Sequence, residues 1–205
     1  MALKFANNQS LKATTALPAA VPTDNLVLIS SQTASNSANI SFTTGLDSTY
    51  DEYIFKFINI KPATDGTNFE FQGSTNGGSS YGVTITSSSF EAYHDEADTG
   101  TALTYDSSND LAQSTSYQNL ANNIGNASDK NVSGSLQLFN PASTTYVKHF
   151  IGTINRLSSN DYTGNDFTAG YFNTTSAINA INFKMTSGNI SDGTIKLYGV
   201  KKSWV

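Results

Sequence analysis

The sequence predicts an all-β protein, an antiparallel β-sandwich of jelly-roll type preceded by an extended N-terminal arm. Three observations carry that expectation. Strand-forming aromatics are plentiful, with 12 Phe and 10 Tyr, and many fall two residues apart. The apolar runs are short and bounded by Ser, Thr, Asn, Gly or Asp, the pattern of eight to ten brief strands separated by turns. No long helical patterns alternate with them, so βαβ units are excluded.

Read in order, residues 1–23 form the arm, where Pro18 and Pro22 favour extended backbone. Residues 24–205 form one sandwich domain. Leu26–Ile29 and Asn39–Thr43 are the first short strands. Tyr53–Ile60 is more informative, because Tyr53, Phe55 and Phe57 fall on one face while Ile54, Ile58 and Ile60 fall on the other. A strand apolar on both faces is central in its sheet or sits at a subunit contact. Phe69 and Phe71, the run Asn76-Gly77-Gly78, and then Tyr81, Val83 and Ile85 read as a hairpin. Phe90, Ala92 and His94 continue the sheet. Leu111–Ile124 is ambiguous: Tyr117, Leu120, Ala121 and Ile124 have helical spacing, but a strand fits equally. Gly134–Phe139 ends at Asn140-Pro141-Ala142-Ser143, which suits a type I turn. Tyr146–Ile154, Tyr171-Phe172, and Ile181 with Phe183 and Met185 are further strands, and Ser191-Asp192-Gly193 turns the chain into Ile195–Val200.

Composition narrows the function classes. Ser, Thr and Asn make up 74 of the 205 residues, charged residues 13%, and the net charge is −5. Eleven scattered basic residues make no phosphate-neutralising face, so nucleic acid is not an expected partner. No run approaches 18 apolar residues, so no membrane-spanning helix is expected. The absence of Cys removes disulfides and thiolate metal sites. The polar run Asn7–Ser10 lies where a signal peptide needs its apolar stretch.

The densest ionisable cluster is Glu91-Ala92-Tyr93-His94-Asp95-Glu96-Ala97-Asp98. Glu91, Asp95, Glu96 and Asp98 are a weak candidate calcium loop, since Ca²⁺ takes carboxylate oxygens, but the EF-hand spacing is missing. The plainer reading is a solvated acidic turn. His149 lies in a strand and reads as half-buried and hydrogen-bonded. No Gly-x-Ser-x-Gly elbow occurs, and no catalytic residue, cofactor site or metal site is expected. Leu3, Phe5, Leu11 and Leu17 in the arm, and Trp204 at the other end, are candidate assembly contacts, Trp being a frequent interface anchor.

Several strings carry a family resemblance. They are Leu3-Lys4-Phe5-Ala6-Asn7-Asn8-Gln9-Ser10, Glu52-Tyr53-Ile54-Phe55-Lys56-Phe57, Ala92-Tyr93-His94-Asp95-Glu96, Leu138 to Phe150, Ala169 to Thr175, and Ser187 to Ile190 with Gly193 to Gly199. In these the chain resembles virion proteins of marine tailed bacteriophages. The resemblance implies a jelly-roll structural protein on the particle exterior, a capsid decoration or head fibre, without enzymatic activity. Its partners would be other copies of itself, a trimer being favoured by analogy, and virion proteins such as the major capsid or tail proteins. It would be assembled in the bacterial cytoplasm and reside on the virion surface. Two other classes are kept beside it: a tail-fibre module recognising host carbohydrate, and a glycan hydrolase using the 91–98 carboxylates.

Overall fold

The structure is a computed structural model that describes residues 25–202. The arm with Leu3, Phe5, Leu11 and Leu17, and the terminal Trp204, lie outside the described residues. Twelve strands form two antiparallel sheets: β1 Leu26–Thr33, β2 Ile40–Phe42, β3 Glu52–Pro62, β4 Thr67–Ser74, β5 Ile85–Asp95, β6 Thr101–Tyr105, β7 Gln118–Ile124, β8 Val132–Phe139, β9 Lys148–Leu157, β10 Tyr162–Phe172, β11 Ala180–Met185 and β12 Ile190–Val200. The larger sheet runs β1-β12-β3-β8-β9-β10-β5-β6 and the smaller β2-β11-β4-β7. The expected all-β sandwich is what the chain forms.

The pairing explains the jelly-roll character. The pair β5·β6 lies inside β4·β7 in the sequence, which lies inside β3·β8, β2·β11 and finally β1·β12. Successive pairs alternate between the sheets, so the chain is a double-stranded ribbon wrapped around a core. Strands β9 and β10 are the two not used by this nest; they form a hairpin that widens the large sheet between β8 and β5.

Phe183 of β11 sits at the centre of the core. Its ring lies 5.1 Å from Phe55, 5.2 Å from Phe57, 5.8 Å from Phe69 and 6.2 Å from Phe42. Phe55 and Phe57 come from the large sheet and the others from the small one, so these rings are the seam between layers. Phe71, Phe150 and Phe172 form a second group, with centroids 5.1–6.0 Å apart.

Several elements depart from expectation. Ile60 is fully buried instead of sharing the outer face with Ile54 and Ile58. Asn59 has φ of +52°, and the β3–β8 register shifts between Phe57 and Ile60; a bulge of this kind moves every later side chain to the other face. The strand is indeed central, between β12 and β8. The segment before and the strand after Asn76-Gly77-Gly78 do not form a hairpin: β4 belongs to the small sheet and β5 to the large one, so the loop crosses between layers. Leu111–Ile124 contains strand β7, because pairing with β4 overrides local helical spacing. Ser191-Asp192-Gly193 is an irregularity within β12. His149 is exposed on the outer face of β9. The turn at Asn140 is present, with the Ser143 amide donating to the Asn140 carbonyl at 3.0 Å.

Candidate functional site

The small sheet covers one face of the large sheet and leaves the other outward. Along β9 the inward residues are buried and alternate with exposed His149, Ile151, Thr153 and Asn155. Register sets the rows across this face. One reads Leu28, Tyr198, Ile54, Gln137, Ile151, Ala169 and Ser88; the next reads Ser31, Lys196, Lys56, Ser135, Thr153, Phe167, Phe90 and Tyr105. The middle is dominated by neutral polar side chains, and large apolar groups collect at both ends.

The β6 end is the more pronounced. β6 pairs only with β5, so its other side is a free edge. Leu103 is 72% exposed, Tyr105 60% and Phe90 43%. Phe90 stacks on its register neighbour Phe167 at 4.8 Å with the rings within 10° of parallel. Apolar side chains clustered on a free edge strand make a liability that soluble monomers normally blunt, and mark a contact surface. The Tyr105 hydroxyl donates to the Asp110 carboxylate, which pushes the phenol pKa up and fixes the ring at the edge.

The four carboxylates of residues 91–98 do not converge. Glu91 points inward and accepts from the Arg156 guanidinium. Asp95 accepts from the Thr99 hydroxyl and, at 2.8 Å, from its amide, and these two bonds lower its pKa. The Glu96 amide donates to the Asp161 carbonyl. Asp98, with φ of +55°, lies 3.1 Å from His94 Nε2. Strand alternation separates Glu91 from the turn, Asp95 and Asp98 are engaged in contacts of the turn, and Glu96 is exposed. Among the described residues no three Asp, Glu, His or Cys side chains are placed to hold a metal ion. A shallow groove beside this turn, lined by Ala92, His94, Asn155, Thr163 and Asn165 among others, presents amides and hydroxyls.

Beneath the same end lies a buried ionic group. Arg156, the single arginine of the chain, is 1% exposed. Its Nε donates to Asp166 Oδ2 at 2.8 Å, Nη2 contacts Glu91 and Asp166, and Nη1 lacks a hydrogen-bond partner. The Tyr162 ring covers the guanidinium, 5.1 Å from Cζ. Gly164 faces it, and a Cβ at that position would stand 2.6 Å from Cζ. Burial pushes the Asp166 carboxyl up to about 6; the nearby Arg156 pulls against that, and Glu91 and Asp106 reinforce it. Lys148, fully buried, donates to the carbonyls of Tyr146 and Thr174 at 2.8 and 3.0 Å, and burial lowers its pKa. These charges tie β9 to β10, β5 and a loop, and are occupied in doing so.

The sequence reading overlooked the Leu103–Tyr105 edge and the Arg156 group. The first had a signal: Thr101, Leu103 and Tyr105 alternate directly after Asp98-Thr99-Gly100. The second had only the isolation of one arginine. No family model, curated protein or solved structure matches the chain.

Proposed function

We propose that this protein is a non-enzymatic structural component of a bacteriophage particle exterior, a capsid decoration or head fibre, that works as a symmetric oligomer built through the outer face of its large sheet. The exposed cluster of Leu103, Tyr105 and Phe90 at a free sheet edge is the observation that carries this reading. An apolar edge kept by an otherwise polar, acidic chain is explained by burial against a protein neighbour. The Ser-, Thr- and Asn-rich middle of the face supplies neutral partners for wet contacts. The test is labelled-antibody imaging of purified particles together with the copy number relative to the major capsid protein. Regular surface labelling at a fixed ratio is the expected result, and absence from purified particles overturns the reading.

A second reading is a receptor-binding module for host carbohydrate. The groove at Ala92, His94, Asn155, Thr163 and Asn165 favours it, because amides and hydroxyls lie beside exposed aromatics. A glycan array with the purified chain separates the two.

A further inference from the structure

We infer that the two ends of the outer sheet face are partners for one another between copies of this chain: the acidic β5–β6 end of one copy docks on the lysine-bearing β1–β12–β3 end of the next. This rests on, and deepens, the proposed oligomeric role.

The charge pattern is one observation. From residue 62 to residue 129 the sequence holds nine carboxylates and no Lys or Arg. On the β5–β6 turn Glu96 and Asp98 are exposed, and Leu103 and Tyr105 project from the strand that leaves it, Tyr105 at its far end. At the far end, Lys56 and Lys196 sit directly opposite each other across β3 and β12. Among the described residues neither has a carboxylate within 4.0 Å. Like charges directly opposite on a sheet are destabilising unless something anionic meets them.

Apolar complementarity is the other. Leu28, Tyr198 and Ile54 line the row beside the lysines, with Leu28 52% exposed. Each end thus pairs an apolar strip with charge: Lys56 and Lys196 at one, where the single outer-face carboxylate of β3, Glu52, accepts from Gln137 at 3.2 Å, and Glu96 and Asp98 at the other.

Geometry forbids the ends from meeting within one molecule. Six strand spacings separate β6 from β12, or roughly 29 Å at about 4.8 Å each. Two copies related by a twofold axis along the strands bring each end onto the opposite end of the other, since sheets of the same twist stack face to face; a head-to-tail ring satisfies the same contact.

The test uses the full chain and sedimentation velocity over a concentration series at low and high salt. Three variants are compared with the wild type: Lys56→Glu with Lys196→Glu; Glu96→Lys with Asp98→Asn; and all four changes together. Asn is chosen at 98 because it tolerates the left-handed φ there. Circular dichroism checks that each variant is folded, and Leu103→Asp serves as an apolar control. The wild type should associate and weaken with salt. Each paired change should weaken association at least about tenfold, since like charges then face each other, and so should Leu103→Asp, which puts a charged group into the apolar strip. The four-fold variant should recover most of the loss. A monomeric wild type, association indifferent to either paired change, or a four-fold variant no better than its parents overturns the contact. Particle imaging fails or succeeds separately: a chain absent from particles that still shows the swap pattern overturns the virion role alone, and a particle-borne oligomer indifferent to the swaps overturns the contact alone.

Discussion

Asp166 offers the sharpest test of the interior. Its carboxyl is pushed up to about 6 because burial outweighs the attraction of Arg156, with Glu91 and Asp106 adding repulsion. In the unfolded chain it titrates near 3.9, so the difference of about two units corresponds to about 3 kcal/mol. The sign follows from proton counting. Between about pH 4 and pH 6 the folded protein retains a proton that the unfolded chain has released, so this group's contribution falls as pH rises through that window and is level above it. Asp47 and Asp95, with lowered values, act in the opposite direction at acid pH, so a direct pH profile mixes these effects. Comparison with Asp166→Asn removes the mixing: Asn keeps the shape and a carbonyl oxygen for Arg156, and does not titrate. Urea unfolding of both proteins from about pH 4 to about pH 7.5 should show the wild type losing about 2.5 kcal/mol relative to the variant. Parallel profiles would refute the reasoning. A wild type that gains on the variant as pH rises would show that the Arg156 attraction exceeds the cost of burial.

Other expectations concern packing, charge and assembly. Phe183→Ala removes the ring shared by both sheets and should cost about 3–5 kcal/mol in urea unfolding. Arg156→Met leaves Glu91 and Asp166 facing each other without their cation and should cost about 3–5 kcal/mol at neutral pH, with a smaller loss near pH 4 where the carboxyls protonate. Gly164→Ala places a methyl against the guanidinium and should cost about 1–3 kcal/mol, read as a lower thermal midpoint. Removing residues 1–23 should leave the circular dichroism of the β domain intact and abolish incorporation into particles; normal incorporation would refute a docking role for the arm.

Much of the local fold was legible in the chain. Tyr53, Phe55 and Phe57 face inward as their spacing predicts, and so do Ile181, Phe183 and Met185. Asn140-Pro141-Ala142-Ser143 turns as its residue types require. These features are local: a period of two assigns sides, and Asn, Gly and Pro assign turns, through forces acting within a few residues.

The partner of each strand was decided elsewhere. A strand reads the same whether its neighbour is next in sequence or, like β12 for β1, most of the chain away. That is why the loop after β4 passed for a hairpin and the hairpin β9·β10 escaped notice. The one-residue bulge at Asn59 reversed Ile60, a change no alternation count foresees. The Arg156 cluster joins residues 65 positions apart in sequence, and the two charged apolar ends of the outer face exist only because the ribbon wraps with β1 and β6 at opposite edges. The sequence by itself determined which residues turn inward and where the chain reverses. The tertiary structure alone decided which strands are edges, since an edge is defined by the long-range pairing that is missing.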